Sequence, residues 1–204
     1  MSTPAESRRA RERSALRERI VGTALEILEA DGIAALTTRR VAAALEYTAP
    51  VIYQHFTNKD SLVLELVSRG YAELATQLRQ VGAGADPERR LLDAASVYVR
   101  FAGQHPHLYE AMNGTVVDAE GRRAAADETL AVLRGLLSDW ADTYGVDLGD
   151  GLDACDVVWG TLFGMATLGY LDSVGNDRAQ VLAAHALGAI LAGWRSERFG
   201  TSSG

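Results

Sequence analysis

The chain contains a single cysteine, Cys155, among its 204 residues, so it can form no internal disulfide bond. This scarcity argues against a small secreted domain held together by disulfides. The N-terminal residues are rich in arginine and lack an apolar segment, so they do not have the pattern of a secretory signal peptide. We therefore expect a cytoplasmic protein.

Long apolar runs and strand-like alternation are also missing. The longest uncharged apolar run, residues 157–171, has 15 residues, whereas a membrane-spanning helix needs about 20. No stretch sustains the alternation of apolar and polar residues that marks a half-buried strand, and the chain has only four prolines. The sequence therefore predicts an all-α protein with no membrane span and a core of ordinary size.

Recognisable catalytic motifs are absent too. There is no phosphate-binding loop, nucleophile elbow or pair of carboxylates at catalytic spacing. His105 and His107 are two residues apart with a proline between them, which puts their side chains on different faces and disfavours a metal pair. Cys155 has no histidine near it in the sequence and is expected to be an inert packing residue. We expect no enzyme activity, no cofactor and no metal site.

The net charge of −7 is divided unevenly along the chain. Residues 7–60 hold nine Arg or Lys against seven Asp or Glu, a balance of +2. Residues 61–204 hold eleven against nineteen, a balance of −8, and Glu6 accounts for the last unit. A basic N-terminal part on an acidic body is typical of a protein that presents one end to nucleic acid.

Residues 36–62 predict two short helices joined by a tight turn, followed by the start of a third helix. Thr37 and Thr48 stand where helix caps are expected, and Pro50 falls in a first turn, where a missing N–H costs little. Asn58 is expected to cap the third helix. A helix–turn–helix with a short second member is the arrangement that places one helix in the major groove of DNA.

These residues resemble the DNA-binding domain of the tetracycline-repressor (TetR) family of regulators. The resemblance rests on Thr38-Arg39-Arg40-Val41-Ala42, on Tyr53-Gln54-His55-Phe56 and on Asn58-Lys59-Asp60-Ser61-Leu62. The preceding helix, which runs from Ile20 to a stop at Asp31-Gly32-Ile33, matches as well. The pieces match without gaps over roughly fifty residues and imply sequence-specific binding to double-stranded DNA.

The predicted DNA contacts divide into three kinds. Thr38 and Arg39 lie at a helix N-terminus that suits a phosphate, and the resemblance implies that Arg39 also reaches a base edge. The resemblance places Ala49, Pro50 and Gln54 in the groove, and it implies that Tyr53, His55 and Lys59 anchor backbone phosphates. The alternative for Tyr53 and His55 is that they only pack the domain.

Glu46 departs from the family pattern, which usually has glycine in this turn. Because the turn favours a positive φ, we expect a non-glycine residue here to cost on the order of 1 kcal/mol, unless the turn is rearranged.

Four segments are predicted along the chain. Residues 1–13 are expected to form a flexible basic arm, which is either a solvated tail or a further contact to DNA phosphates or the minor groove. Residues 14–61 are the DNA-binding domain, residues 62–199 an effector-binding and dimerisation domain, and residues 200–204 a flexible tail. Helices are expected over about 14–30, 58–81, 87–103, 106–113, 122–144, 152–173 and 177–199.

The last two predicted helices are apolar on more than one side and rich in small residues. Glycine inside a helix costs about 1 kcal/mol, so a close approach of another helix is the expected compensation. We interpret Gly160, Gly164, Gly169, Gly188 and Gly193 as marking a two-fold homodimer interface of four helices. The alternative is close packing within one subunit.

A second resemblance concerns the ligand-binding part of the chain. His105 to Met112, with Trp159-Gly160-Thr161-Leu162-Phe163-Gly164, is similar to a TetR-family domain type with a Trp–His–Gly signature, in which Phe163 replaces the histidine. It implies an apolar pocket that binds a small-molecule effector. Because few cationic side chains lie in these segments, we expect an apolar or aromatic ligand that is neutral or cationic. The alternative is a solid core. The implied lining residues are Phe101, Tyr109, Met112, Trp159 and Phe163.

Together these features predict a homodimeric regulator, most simply a repressor that a ligand releases from a pseudo-palindromic operator. Two alternatives stay open: a small-molecule-binding protein or enzyme with a vestigial DNA-binding head, and a binder of DNA without sequence preference.

Overall fold

The chain is helical through most of the residues that the structure describes. A computed structural model describes residues 4–82, 84 and 86–197. Within these ranges every regular element is an α-helix, which confirms the predicted all-α class. The helices divide into two compact units.

The first unit contains the described residues up to Gly70 together with His107–Ala125. Its core consists of aliphatic side chains on the first four helices, and Ile20, Leu28, Val41, Ile52 and Leu62 have no exposed surface. Its helices are α1 (Pro4–Ala35), α2 (Thr38–Ala44), α3 (Ala49–Tyr53), the first half of α4 (Lys59–Arg79), α6 (Pro106–Asn113) and the start of α7 (Ala119–Tyr144).

Residues 107–125 join this unit because α6 packs directly on α4 and α1. A Cβ at Gly70 would stand 2.8 Å from the sulfur of Met112 and 3.1 Å from a methyl carbon of Leu108, so any other residue there would force these side chains to shift. The Nδ1 atom of His107 lies 3.0 Å from the carbonyl oxygen of Glu29. The unit therefore extends beyond the predicted 14–61 domain, through contacts distant in sequence.

The second unit contains the rest of α4 and α7 and three further helices, α5 (Pro87–Gln104), α8 (Leu152–Tyr170) and α9 (Asn176–Glu197). Helices α5, α8 and α9 pack against one another. A charged and aromatic cluster ties helix ends together. Arg195 pairs with Glu88 at 2.6 Å and covers the ring of Tyr144 at 4.9 Å. The Tyr144 hydroxyl donates a hydrogen bond to Asp86 at 2.8 Å.

Several helix boundaries differ from the predicted ones. Residues 4–13 of the predicted arm form the first turns of α1, and residues 1–3 lie outside the described range. Helix α7 begins three residues early, at Ala119, because the Asp118 carboxylate accepts a hydrogen bond from the Gly121 N–H at 2.7 Å. Helix α8 ends at Tyr170 rather than Ser173. The predicted tail, 200–204, lies outside the described residues.

Candidate nucleic-acid interface

Helix α2 begins where the sequence predicts it. The Thr37 side chain accepts a hydrogen bond from the backbone N–H of Arg40 at 3.1 Å and so caps the helix. The Arg40 side chain forms an ion pair with Asp31. Arg39 is exposed and makes no hydrogen bond or ion pair through its side chain within the described part of the chain. Of these two neighbouring cations, Arg39 is therefore the one available to an external partner.

The turn between α2 and α3 has the strained conformation predicted for it. Glu46 has a φ of +59°, in the left-handed region that favours glycine, and Asp172 is the other described non-glycine residue of this kind. The turn is held by a hydrogen bond from the N–H of Tyr47 to the carbonyl of Ala42 at 2.8 Å. Glu46 therefore occupies the family's glycine conformation at an energetic cost.

Helix α3 presents a short, largely exposed surface. Pro50 lies in its first turn as predicted and is exposed, whereas Ala49 is half-buried. Thr48 occupies the N-cap position but makes no side-chain hydrogen bond, so the predicted cap interaction is wrong. Tyr53 is 53% exposed, and Gln54, the C-cap residue, is exposed. The predicted groove-facing residues thus lie together on one element, with Gln54 just past its end.

The hydroxyl groups of Thr38 and Tyr53 join α2 to α3, with their oxygens 3.2 Å apart. Thr38 is buried, so its hydroxyl is committed to this contact. Tyr53 both packs the domain through its hydroxyl and presents most of its ring to solvent. The structure thus places the two predicted contact residues together at the junction of the two helices.

Lys59 connects the end of α1 to the start of α4. Its ammonium group donates a hydrogen bond to the carbonyl of Ile33 at 2.8 Å, and its side chain is half-buried. Asn58 caps α4 as predicted, since its side-chain oxygen accepts from the N–H of Ser61 at 2.8 Å. An ammonium group has three donors, so Lys59 keeps donors for a phosphate while holding this junction.

Two arginines of α1 hold the residues that follow α3. Arg13 donates to the carbonyl of Gln54 at 3.2 Å, and Arg17 donates to the carbonyl of His55 at 3.0 Å. Carbonyls at a helix C-terminus lack partners within the helix, and these guanidinium groups supply them. The sequence pattern predicts neither contact, since it places Arg13 in a flexible arm and gives Arg17 no partner outside α1. The i, i+4 spacing of Arg13 and Arg17 was the available signal.

The ring of His55 lies in a positive environment. Partial burial first, and then the charges of Arg13 and Arg17, lower the pKa of His55 below its ordinary value. The imidazole is therefore neutral at neutral pH. A neutral imidazole can still donate one hydrogen bond to a phosphate.

The predicted ligand-binding residues fall in both units. Tyr109 and Met112 are buried in the first unit. In the second unit Phe101 is fully buried, with its ring centroid 5.0 Å from that of His105. Phe163 is 38% exposed on α8. The structure therefore does not gather all five residues within one compact unit.

Trp159 is the aromatic centre of the second unit. Its ring is 5.2 Å from that of Tyr98, in an edge-on arrangement, and 6.3 Å from that of Tyr71. Tyr71 and Tyr98 are buried, whereas Trp159 is half-buried. Sequence reasoning identified Trp159 but not the two tyrosines, which come from α4 and α5.

Helix α8 exposes several apolar side chains, together with Asp153 and Asp156. A Cβ added at Gly160 or Gly164 would meet nothing within 4 Å, and the same holds for Gly193 on α9. Gly169 differs, because a Cβ there would stand 3.0 Å from Ala179, so this glycine serves packing inside the chain. The exposed apolar side chains of this region are Leu152, Val157, Phe163, Leu168, Leu171 and, on α9, Val181.

Two classes of site were also sought in the described ranges. No three His, Cys, Asp or Glu side chains there are grouped so that they could hold a metal ion. None of the helices found there combines the length and apolar character needed to cross a membrane. Burial raises the pKa of the Cys155 thiol, as expected for a packing residue.

Two family models match the chain. Residues 20–66 match the model described as "Bacterial regulatory proteins, tetR family", and residues 91–190 match "Tetracyclin repressor-like, C-terminal domain". The first match spans α2, α3 and the residues around them. The Trp–His–Gly subgroup stays a prediction.

Individual proteins agree with these matches. An HTH-type transcriptional regulator of Mycobacterium tuberculosis is 28% identical over 170 residues, which cover 79% of this chain and 74% of that protein. The class C tetracycline repressor of Escherichia coli is 47% identical over 47 residues, 23% of this chain and 22% of that one. The structure of the regulator FadR from Bacillus subtilis, in complex with stearoyl-CoA, has the same fold, with a TM-score of 0.71, 16% identity, and coverage of 86% of this chain and 98% of that one. With both parts of the chain matched, this protein belongs to the TetR family of DNA-binding transcriptional regulators.

Proposed function

We propose that the chain acts in the cytoplasm as a homodimeric repressor, which a small apolar or aromatic ligand releases from a pseudo-palindromic DNA operator. The proposed DNA binding rests on the contrast between Arg39 and Arg40. Arg40 is paired with Asp31, whereas Arg39 is exposed without a partner in the described residues. The guanidinium group of Arg39, at the start of α2, is therefore available to bind DNA.

Each exposed residue of this surface has a suitable partner on DNA. The guanidinium group of Arg39 matches the O6 and N7 acceptors of guanine. Pro50 and Ala49 offer apolar contacts to thymine methyl groups, and the amide of Gln54 can read a base edge. Tyr53, His55 and Lys59 would contact the backbone and set the register, and the buried Thr38 would hold the Tyr53 hydroxyl in place.

The dimer follows from the exposed apolar face of α8 and α9. Soluble monomers rarely expose a contiguous apolar stripe, and open space around Gly160 and Gly164 would let a partner helix approach closely. Two copies related by a two-fold axis would present two DNA-binding heads to two half-sites about one helical turn apart.

The ligand site proposed here keeps to the second unit, around Trp159, Tyr98, Tyr71 and Phe101. Aromatic rings with few cations nearby favour a neutral or cationic ligand over a polyanionic one. Such a ligand should quench the fluorescence of Trp159 and weaken the DNA complex over the same concentration range. Quenching that persists in Trp159→Phe, in which Trp140 and Trp194 remain, would move the pocket elsewhere.

Selection of duplexes from a randomised pool, followed by footprinting on the DNA beside the protein's own gene, tests the DNA part. We expect a pseudo-palindrome to be enriched. Arg39→Ala should cost about 1–3 kcal/mol and relax one position of each half-site. Arg40→Ala is the matched control, because it removes the same charge from a side chain that Asp31 already engages, and it should keep that preference.

Other outcomes of the same experiment would contradict the proposal. Binding without enrichment would indicate a protein that binds DNA without sequence preference. Ligand binding with no DNA binding would indicate a vestigial head on a small-molecule-binding protein or enzyme.

A further inference from the structure

The first turns of α1 form a basic surface that the packing of the first unit does not explain. Arg8, Arg9, Arg11 and Arg13 are all exposed. In residues 6–13 the described ion pair is Arg8 with Glu12 at 3.6 Å, and both side chains are largely in solvent. A helical segment that is polar on all sides gains little from the core, so its stability and position call for another partner.

This segment closes one side of a pocket of about 300 Å³ that is lined by Ala10, Arg13, Ser14, Arg17 and His55. Four of these residues belong to α1, and His55 follows α3. The bonds from Arg13 to the Gln54 carbonyl and from Arg17 to the His55 carbonyl hold the two sides together. The pocket therefore lies directly beside the end of the helix expected to enter the groove.

The pocket contains hydrogen-bond donors and a positive charge that contacts within the described residues do not use. Arg17 is largely neutralised, because it pairs with Glu65 at 2.6 Å and lies over the ring of Phe56 at 4.3 Å. Arg13 uses one of its five N–H donors on a carbonyl and has no ion-pair partner in the described residues. The hydroxyl of Ser14 and the ring of His55 add neutral donors. Such a set suits a singly charged anion.

We propose that this pocket binds one backbone phosphate of the operator, so that the N-terminal part of α1 is a DNA-contacting element beside α2 and α3. The proposal rests on the proposed DNA-binding function. Arg13 supplies the charge, while Ser14 and His55 supply further hydrogen bonds. Because the pocket adjoins Gln54, the phosphate belongs to the strand that passes the C-terminal end of α3.

The test compares Arg13→Ala with Arg11→Ala, using the duplex selected from the randomised pool and a random duplex. Both variants lose one positive charge from the same exposed helix, but Arg11 does not line the pocket. Arg13→Ala should weaken both duplexes about tenfold and reduce the slope of log affinity against log salt by about one. Arg11→Ala should weaken them about twofold.

A scan that replaces single phosphates by neutral methylphosphonates identifies the contact. At one position per half-site the replacement should weaken wild type and Arg11→Ala but have no further effect on Arg13→Ala. Equal losses for the two variants, or no such position, would overturn the pocket as a phosphate site. A loss confined to the selected duplex would show that Arg13 only positions α3.

Two further outcomes separate this proposal from others. If inorganic phosphate bound wild type but not Arg13→Ala, while the methylphosphonate scan found no sensitive position, the pocket would be a site for a free anion and the proposal would be wrong. If wild type enriched no duplex at all, the proposed function would fail. Enrichment by wild type together with an unaffected Arg13→Ala would overturn the pocket alone.

Discussion

The two units of this chain differ in what they leave exposed. In the first unit the exposed groups around α2 and α3 are cationic, polar or aromatic, with Arg39 and Tyr53 as the clearest examples. In the second unit the exposed groups along α8 and α9 include aliphatic side chains such as Val157, Leu171 and Val181. The first unit buries a mainly aliphatic core, whereas the core of the second also contains aromatic rings such as Trp140 and Phe101.

The exposed residues of each unit, and not the buried ones, indicate which partner the unit binds. Packing explains the buried residues of either unit, so they carry little information about partners. Exposed cations that no neighbour neutralises indicate a polyanion, and a continuous exposed apolar face indicates a surface of the same character. The exposed groups of the first unit therefore suit DNA, and we propose that the exposed apolar side chains of the second unit contact another copy of the chain.

The largest expected effect concerns the apolar face of the second unit. Gly164→Leu should weaken the dimer by about 1–3 kcal/mol, or about 5- to 150-fold, because the new side chain meets nothing in its own chain and can only obstruct a partner. Sedimentation at several concentrations measures the change, and operator affinity should fall with it. Gly188 is a poorer choice, since a Cβ there already lies 3.7 Å from Leu92.

Gly135→Leu is the matched control for this variant. Gly135 is also an exposed helical glycine with open space around its position, but it lies on α7. Both variants should gain about 1 kcal/mol of helix propensity. An unaltered dimer in Gly164→Leu, or equal dissociation of both variants, would contradict the assigned interface.

An intermediate effect is expected where α6 meets α1 in the first unit. His107→Ala removes the ring atom that lies 3.0 Å from the Glu29 carbonyl and should lower the free energy of unfolding by about 1–2 kcal/mol. His107→Asn can restore a donor near that position and should recover part of the loss. Denaturant unfolding gives the free energies, and hydrogen exchange should show the loss at the end of α1. Equal stability of all three proteins would mean that this contact is incidental.

The smallest expected changes in stability concern two residues with a positive φ, one in each unit. Glu46→Gly should stabilise the protein by about 1 kcal/mol, because its φ of +59° is costly for glutamate. Asp172→Gly, at a φ of +53°, should stabilise the protein by only a few tenths of about 1 kcal/mol, since aspartate tolerates the left-handed region better. Thermal unfolding of both variants gives the order, and a larger gain at Asp172 would contradict this explanation.

Local signals in the sequence predicted most helices and the strained turn. Thr37 and Asn58 cap helices as expected, because a cap is a contact between residues three apart, and Asp86 caps α5 in the same way. The positive φ of Glu46 followed from the resemblance in the same way, since a turn of this length has few conformations. Arg39 is exposed, in agreement with its predicted place in the DNA interface.

Other features depended on contacts between distant residues. The sequence by itself determined most of the helices and the caps at Thr37 and Asn58, because neighbouring side chains decide these. Only the tertiary structure joined residues 107–125 to the first unit and brought Arg13 and Arg17 to the carbonyls after α3. It alone also distinguished Gly164, which faces open space, from Gly169, which packs on Ala179. The physical reason is that long-range packing selects among faces of a helix that local pattern leaves equivalent.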